Sequence, residues 1–242
     1  MHNAAFRAAG LDWTYELLDV SHEELGGALE QLKGKDSAGA NVTIPHKVTV
    51  MQHLDRLDPE ALRVHAVNTI THDGDHLVGS NTDVAGIAAA AEEVGFEARG
   101  AKVVVLGAGG SARAVAVALE GAHITFVARH PDRVGEMPGT VIAWESPEWP
   151  PLVRTAQLLV NATPLGRRDE MPLRPNALPQ TGAVLDLVYV AGGTPLVRKA
   201  RSLGLRVADG WTVLLAQGAR SFEMWTHRPA PLDVMRAALE AS

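Results

Sequence analysis

A glycine-rich turn between an apolar run and a helix-forming segment is the first feature suited to chemistry. Residues 102–113 read KVVVLGAGGSAR, and the apolar run is typical of a strand buried on both faces. Gly107, Gly109 and Ala112 match the pattern G-x-G-x-x-G/A. There the first glycine allows a tight turn, the second admits a pyrophosphate close to the backbone, and the small third residue lets helix pack on strand. Such turns also occur for purely structural reasons, but this context of strand, glycines and helix favours a dinucleotide site.

Two arginines follow the next apolar run of the chain. An NAD-binding domain usually has an acidic residue there, which binds the ribose hydroxyls. This sequence has Arg129 and Arg133 instead, and an arginine fork suits a 2′-phosphate. The sequence therefore favours NADP over NAD. The alternative is that both arginines are solvated residues at the entry to a helix.

The composition is that of an ordinary globular protein. Its 242 residues, 46% of them hydrophobic, fit one or two domains. The net charge of -6 disfavours a general nucleic-acid surface. No apolar run reaches the roughly 18 residues of a membrane span, and nothing near Met1 resembles a signal peptide. We therefore expect a cytoplasmic protein without nucleic-acid or membrane partners.

The absence of cysteine narrows the chemistry further. With no cysteine in the chain, disulfides, thiolate nucleophiles and zinc-thiolate sites are excluded. The ten histidines form no H-E-x-x-H motif, and no carboxylate cluster has the spacing of metal ligands. We therefore expect no metal.

The segment before the glycine turn predicts a mixed α/β unit. Its predicted elements are a helix at 2–9, a strand at 13–20, a helix to about 32, a strand at 39–43, a helix from Pro45, hairpin strands at 66–71 and 76–80, and a helix at 84–94. Ser21 and Glu24 form a capping box for the second helix, and HDGD supplies the hairpin turn. Asp83 has two interpretations, a helix N-cap or a catalytic group.

From residue 102 onward, strands alternate with helical or loop segments. Strands are predicted at 102–106, 123–128, 140–144, 158–161, 183–188 and 206–208, and later helices at 195–203, 212–225 and 232–239. This alternation predicts a doubly wound parallel sheet of the Rossmann type. We expect an α/β substrate domain built from residues 1–83 plus 211–242, and a dinucleotide-binding domain of residues 84–210.

Several motifs, taken in order, resemble the shikimate dehydrogenase family. They are NVTIPHK at 41–47, AVNT at 66–69, NTD at 81–83 with Gly86, GAGG at 107–110 with Arg113, NAT at 161–163, DLVY at 186–189 with TPL at 194–196, and Gln217 with Phe222, Glu223 and Trp225. They span nearly the whole chain. The resemblance implies NADP-dependent reduction of 3-dehydroshikimate to shikimate, in the biosynthesis of chorismate and aromatic amino acids.

The resemblance also implies a role for particular residues. Lys47 and Asp83 would be the catalytic pair. The substrate site would contain Asn41, Thr43, Lys47, Asn68, Asp83, Tyr189 and Gln217. The NADP site would contain Gly107, Ala108, Gly109, Gly110, Ser111, Ala112, Arg129, Arg133, Asn161, Ala162, Thr163, Leu187 and Gly210. A lysine can supply the proton that hydride transfer requires, although the sequence leaves open which member of the pair holds it. Thr43 and Tyr189 could instead be ordinary strand residues.

The sequence departs from the family pattern at several positions. The family opens with a strand and a Ser-x-Ser loop whose hydroxyls hold the substrate carboxylate, whereas this sequence starts after them, at Met1. We expect that loop to be lacking, through a late start or a short chain, and we assign no ligand to the carboxylate. Arg129 is flanked by Ala128 and His130 rather than by Asn and Thr, and Val213 replaces a methionine usual near the nicotinamide.

Two other functions stay open at this point. One is a quinate or aminoshikimate dehydrogenase of the same superfamily, and Arg129 argues against its use of NAD. The other is an NADP-binding protein without turnover. The presence of Lys47 and Asp83 argues against the second alternative, and the missing loop argues for it. A small-molecule substrate is expected in either enzyme, and a homodimer is an open alternative to a monomer.

Overall fold

The structure is a computed structural model that describes residues 1–34 and 36–241. It divides into two compact units: unit 1 is Met1–Asp83 with Leu215–Ser242, and unit 2 is Val84–Leu214. Unit 1 is therefore built from two distant segments of the chain, and unit 2 from one continuous segment. The domain boundary expected after residue 210 differs from this division by residues 211–214.

Helices and short strands alternate along the described residues. The α-helices are α1 (His2–Ala8), α2 (Leu25–Leu32), α3 (Pro59–Val64), α4 (Asp83–Glu93), α5 (Gly110–Ala118), α6 (Trp149–Thr155), α7 (Pro195–Ser202), α8 (Gly210–Thr226) and α9 (Leu232–Glu240). The strands are β1 (Gly39–Asn41), β2 (Arg56–Leu57), β3 (Thr69–Asp73), β4 (His76–Ser80), β5 (Lys102–Leu106), β6 (His123–Ala128), β7 (Thr140–Ala143), β8 (Leu158–Asn161), β9 (Ala183–Asp186) and β10 (Arg206–Ala208). None of these helices is long and apolar enough to cross a membrane.

The described part of unit 2 contains a parallel sheet of six strands in the order β10-β9-β8-β5-β6-β7. This confirms the doubly wound fold predicted from the sequence. Four of the strands have the predicted bounds, and β7 and β9 end one and two residues early. For the central strands β5, β8 and β9 the agreement follows from their burial, because parallel strands covered on both faces are continuous apolar runs. The strand order reverses between β5 and β8, where sheets of this kind bind ligands at their carboxyl edge.

Unit 1 contains a mixed sheet in the order β1-β3-β4-β2. Strands β3 and β4 form the predicted hairpin, in which Thr69 pairs with Ser80 and Asp73 with His76. The first hairpin strand begins at residue 69 rather than 66, and β2 is a short strand that was not predicted from the sequence. Strand β1 pairs antiparallel with β3, which places the end of β1 beside the start of β3.

Two hydrophobic clusters support this sheet. Phe6 of α1, Phe222 of α8 and Met235 of α9 belong to one cluster. Leu29 of α2 and Ile70 of β3 belong to the other. The predicted helices that became α1, α4, α7, α8 and α9 have ends within two residues of those expected.

The strand predicted at residues 13–20 is wrong. The segment has no regular secondary structure. The side chain of Asn3 takes the place of a neighbouring strand at Tyr15: its Nδ2 donates to the Tyr15 carbonyl at 3.0 Å. Its Oδ1 accepts the Tyr15 N–H at 2.6 Å. A side chain rather than a sheet therefore satisfies the backbone at Tyr15, and the large apolar side chains of the segment are exposed rather than buried on one face.

The helix predicted from Pro45 is also wrong. A turn and then a 3₁₀ helix, Thr49–His53, follow β1 instead. Backbone bonds between residues three apart, such as His46 N to Thr43 O at 2.9 Å, dominate there. The β-branched run Val48, Thr49 and Val50 lowers helix propensity. The capping box forms both expected bonds, Ser21 N to Glu24 Oε2 and Glu24 N to Ser21 Oγ, although α2 itself begins only after it.

Candidate active site

Lys47 and Asp83 form an ion pair in unit 1. Lys47 lies in the turn after β1, and Asp83 is the first residue of α4. Lys47 Nζ lies 2.6 Å from Asp83 Oδ2, and the side chains are 17% and 13% exposed. The amino end of a helix favours a negative charge, and partial burial reduces screening by solvent. The pair is therefore better shielded than an ordinary surface salt bridge.

Asn68 contacts the other oxygen of the same carboxylate. It directly precedes β3 and is 2% exposed. Its Oδ1 accepts the backbone N–H of Thr82 at 2.7 Å, which fixes the orientation of the amide because an N–H only donates. Asn68 Nδ2 then donates to Asp83 Oδ1 at 2.8 Å. Each oxygen of the Asp83 carboxylate therefore has one partner, Lys47 on Oδ2 and Asn68 on Oδ1.

Two further residues predicted for the substrate site join this group. Gln217 of α8 lies near Asn68, with Oε1 at 3.4 Å from Asn68 Nδ2. Asn41, at the end of β1, donates from Nδ2 to the carbonyl of Asn68 at 3.2 Å. The Oδ1 of Asn41 accepts the phenol hydroxyl of Tyr15 at 3.0 Å. The structure thus brings Asn41, Lys47, Asn68, Asp83 and Gln217 together within unit 1.

Thr43 is not part of this hydrogen-bonded group. It lies exposed in the turn after β1, where its carbonyl accepts the N–H of His46. Thr43 therefore stays a predicted substrate residue, four positions before Lys47 in the sequence.

Three hydroxyl groups that were not predicted as site residues form hydrogen bonds with Asn41 and Asn68. We call Thr69, Thr82 and Ser221 the hydroxyl cluster. Their oxygens lie 2.9 to 3.2 Å from one another. Thr69 and Thr82 adjoin Asn68 and Asp83 in the motifs, and Ser221 is four residues after Gln217 on α8. That spacing places Ser221 on the same helix face as Gln217, which is the signal that could have found it.

The glycine turn of unit 2 has room for a ligand on one side. Gly107 has a φ of +110°, and a Cβ there would lie 3.0 Å from the carbonyl oxygen of Ala162. Gly109 is the N-cap of α5, and no described atom outside its own neighbours and helix lies within 4 Å of where its Cβ would be. Ala112 is fully buried. The turn therefore packs on the chain after β8 at one glycine and is open at the other, as a bound pyrophosphate requires.

The other residues of this turn lie at the start of α5. Ala108 precedes the N-cap, and Gly110 and Ser111 open the helix, whose amino end carries free N–H groups. Arg129 and Arg133 follow β6 and are both exposed. Arg133 Nε lies 3.9 Å from Asp132 Oδ2, a weak surface contact. Both guanidinium groups are therefore accessible at the carboxyl edge of the sheet.

Asn161 organises a loop rather than facing solvent. It is fully buried at the end of β8, and its Nδ2 donates to the Leu165 carbonyl at 2.9 Å and to Asp186 Oδ1 at 2.8 Å. Its Oδ1 accepts the hydroxyl of Thr163 at 2.7 Å. Ala162 and Thr163, next in the chain, are the residues of this loop that approach the glycine turn.

Asp186 is a buried carboxylate at the end of β9. It accepts hydrogen bonds from Asn161, from the N–H of Val188 at 3.0 Å and from the hydroxyl of Thr194 at 2.6 Å. Burial raises the pKa of Asp186 to about 6, against the lowering effect of these three donors. Since Thr194 also caps α7 through the N–H of Val197, Asp186 ties together the ends of β8 and β9 and the start of α7.

Tyr189, Leu187 and Gly210 lie at the same edge of unit 2. The Leu187 N–H donates to the Asn161 carbonyl at 3.0 Å. Tyr189 is 44% exposed, and its ring centroid lies 5.3 Å from that of Trp211. A Cβ at Gly210 would lie 2.6 Å from the carbonyl carbon of Val188, so only glycine lets α8 begin against this loop. In the part of the chain that the structure describes, no group of three or more His, Asp or Glu could hold a metal ion.

A glycine turn at the switch point of a parallel sheet defines the class of dinucleotide-binding α/β proteins. The family model described as "Shikimate dehydrogenase substrate binding domain" matches residues 1–70. The model described as "Shikimate 5'-dehydrogenase C-terminal domain" matches residues 210–240.

Individual relatives match over almost the whole chain. A protein of Moorella thermoacetica named shikimate dehydrogenase (NADP(+)) is 41% identical over 99% of this chain and 86% of its own length. The solved structure of shikimate 5-dehydrogenase from Thermus thermophilus in complex with NADP(H) and shikimate has a TM-score of 0.89 and 35% identity, over 99% of this chain and 92% of that one. The chain belongs to the shikimate dehydrogenase family.

Another solved relative has a different name. The ligand-free 5-ketofructose reductase of Gluconobacter sp. strain CHM43 has a TM-score of 0.83 and 33% identity, over 99% of this chain and 91% of that one.

Proposed function

We propose that this chain catalyses the reversible, NADP-dependent reduction of 3-dehydroshikimate to shikimate, a step of chorismate and aromatic amino acid biosynthesis. The observation that carries the proposal is the pairing of Lys47 Nζ with Asp83 Oδ2 at 2.6 Å, with Asn68 on the other carboxylate oxygen. The choice of substrate rests on the family of this chain, since the structure of the Thermus thermophilus relative is a complex with NADP(H) and shikimate.

The pair supports the proton transfer of this reaction. When bound, NADPH supplies a hydride to the carbonyl carbon of the substrate, and the carbonyl oxygen then needs a proton. Lys47 donates that proton to the oxygen and regains one from solvent, and in the oxidation of shikimate neutral Lys47 accepts the hydroxyl proton. Asp83 orients Lys47 and balances its charge, while Asn68 holds Asp83 in place.

The geometry of unit 2 fits the cofactor. The open side of Gly109 and the amino end of α5 suit the pyrophosphate. Arg129 and Arg133, both exposed, suit the 2′-phosphate that distinguishes NADP from NAD. Ala162, Thr163, Leu187 and Gly210 lie on neighbouring loops of the same sheet edge and would line the rest of the site.

The remaining predicted residues suit a polyhydroxylated ring acid. Amide groups of Asn41, Asn68 and Gln217 and the hydroxyls of Thr43 and Tyr189 donate and accept hydrogen bonds without adding charge. Asn68, which is 2% exposed, would disfavour a substrate that lacks the matching hydroxyl, because a buried polar group would then be unpaired.

The test is the absorbance of reduced nicotinamide in mixtures of this chain with one substrate and one cofactor. Shikimate with NADP should give a rise, with lower rates for NAD and for quinate. In the opposite direction, 5-ketofructose with NADPH should give no fall in absorbance. Turnover of quinate or 5-ketofructose in preference to shikimate would overturn the substrate assignment. NADP binding without turnover of any substrate would indicate a binding protein.

A further inference from the structure

The hydroxyl cluster joins segments of unit 1 that lie far apart in the chain. Thr69 opens β3, Thr82 precedes α4, and Ser221 is on α8. Thr69 and Ser221 are fully buried and Thr82 is 2% exposed. Ser221 Oγ lies 2.9 Å from Thr69 Oγ1 and 3.2 Å from Thr82 Oγ1. Buried hydroxyls of this kind are ordered by the bonds they make, since no water competes for them.

The directions of two bonds at Ser221 follow from chemistry. Asn41 Nδ2 faces the carbonyl of Asn68 at 3.2 Å, and a carbonyl only accepts, so this atom is the amide nitrogen. The same nitrogen lies 3.0 Å from Ser221 Oγ and donates to it. Ser221 in turn donates its only proton to the carbonyl of Gln217 at 3.0 Å. Ser221 therefore links two hydrogen bonds of known direction, one received from Asn41 on β1 and one donated to the backbone of Gln217 on α8.

This series of hydrogen bonds determines which hydrogen bonds Asn41 can still make with a ligand. The two hydrogens of its amide are taken by the Asn68 carbonyl and by the oxygens of Ser221 and Thr69. Its Oδ1 accepts the Tyr15 hydroxyl and has a second lone pair. Asn41 can thus act only as an acceptor, and it can recognise only a hydroxyl that donates.

We propose that Ser221 is a positioning residue for substrate recognition, which fixes the amide of Asn41 as an acceptor and ties it to Gln217. The inference rests on the proposed function, since it concerns the recognition of a substrate hydroxyl. Ser221 touches neither Lys47 nor Asp83 in the hydrogen bonds described for the chain, so its removal should affect binding of the polyol more than proton transfer.

The first test compares Ser221→Ala with Thr226→Ala. Thr226 is a matched control, because its hydroxyl donates to the carbonyl four residues earlier on the same helix, Phe222 O at 2.8 Å. Ser221→Ala should raise the KM for shikimate about tenfold, the order of one buried hydrogen bond. The kcat and the KM for NADP should change less than about threefold, and Thr226→Ala should leave all three constants unchanged. An unchanged shikimate KM in folded Ser221→Ala, or equal changes in both variants, would overturn the proposal.

A second measurement does not depend on turnover. In ¹H–¹⁵N spectra of the full chain, the side-chain NH₂ of Asn41 is identified by its loss in Asn41→Asp. Its two protons should have widely separated shifts in the native protein, and Ser221→Ala should move them while Thr226→Ala should not. If the native chain fails to oxidise shikimate, the proposed function fails, and this spectrum still decides whether Ser221 orients Asn41. Identical Asn41 signals in Ser221→Ala would contradict the inference.

Discussion

Lys47 Nζ and Asp83 Oδ2 lie 2.6 Å apart, in a pair that is largely shielded from solvent. Lys47 follows a strand and Asp83 opens a helix 36 residues later, so the pairing is a product of the tertiary fold. Because Asp83 Oδ1 also accepts a hydrogen bond from Asn68, the carboxylate has little freedom to move away from the lysine.

Replacement of Lys47 by methionine removes the proton donor and keeps the aliphatic stem. We expect kcat for shikimate oxidation to fall at least about 100-fold, the usual contribution of acid–base catalysis. NADPH binding, followed by nicotinamide fluorescence, should be unchanged because its predicted ligands are in unit 2. Lys33→Met is the control, since Lys33 pairs with Glu30 on the surface at 3.0 Å. Retention of native turnover in Lys47→Met would assign the proton to another group.

Replacement of Arg129 by alanine tests the cofactor preference. Loss of one charged hydrogen bond to a 2′-phosphate should weaken the binding of NADP by about 2 kcal/mol, or roughly 30-fold, and leave the binding of NAD nearly unchanged. Titration of both cofactors against the variant measures this. Arg99→Ala, at another exposed arginine of unit 2, should affect neither. An equal loss for NADP and NAD would argue against Arg129 as the phosphate ligand.

The two glycines of the turn should respond differently to alanine. At Gly109 the backbone is extended and the added methyl meets open space, so the fold should keep its thermal stability while the KM for NADP rises about tenfold or more. At Gly107 the φ of +110° and the nearby Ala162 oxygen should make alanine cost about 1–3 kcal/mol of stability. Thermal unfolding and cofactor titration of both variants separate the effects. Native NADP affinity in Gly109→Ala would exclude a close approach of the cofactor there.

Asp186 should make the stability of the protein decrease as the pH rises. Its folded-state pKa of about 6 is above the ordinary value of 3.8, so between these values the folded state holds a proton that the unfolded state releases. The stabilisation is complete below the ordinary pKa and is lost as pH rises through the folded pKa, about 3 kcal/mol in total. Urea unfolding from pH 4 to pH 7 should show this slope, and Asp186→Asn should remove it. A slope that persists in the variant would assign it to other groups.

His2 should make the stability of the protein increase as the pH rises. Burial lowers its pKa from 6.5 to about 4, and in the described residues its Nδ1 has no hydrogen-bond partner. The unfolded state therefore binds the proton more tightly, and stability present above pH 6.5 is lost as pH falls through about 4. His2→Phe keeps an aromatic ring against Tyr15, 4.6 Å away between centroids, and should retain more stability in acid. An unchanged acid dependence in His2→Phe would exclude His2 as its source.

The strands of unit 2 could be predicted because one local signal determines them. Strands β5, β8 and β9 are short apolar runs that are buried along almost their whole length, and burial on both faces leaves no other place for such a run. The segment at 13–20 shows the limit of that reasoning. Its pattern is also that of a strand, but Asn3 binds both backbone groups of Tyr15, and a side-chain contact of that kind has no periodic signature.

The candidate site also has residues that the sequence predicts and residues that it does not. Lys47, Asn68 and Asp83 can be found from motifs, and their contacts follow from the pairing of β1 with β3 and the start of α4. Ser221 was missed because its partners Asn41 and Thr69 are 180 and 152 residues away, and a serine inside a helix carries no strong local preference. Asn161 is predicted to line the cofactor site, and in the structure its side chain bonds Leu165, Asp186 and Thr163.

The division of unit 1 between two distant segments has a consequence for its synthesis. A ribosome adds about 5–20 residues per second, so the 180 residues between Asn41 and Ser221 take on the order of ten seconds to appear. Unit 2, which ends at Leu214, is complete just before Ser221 is added, whereas the sheet of unit 1 lacks its contacts with the unit 1 part of α8 for the whole interval. The nascent chain therefore exposes apolar residues of unit 1, such as Phe6, that α8 covers in the finished fold. We expect chaperones to bind the chain mainly in this interval.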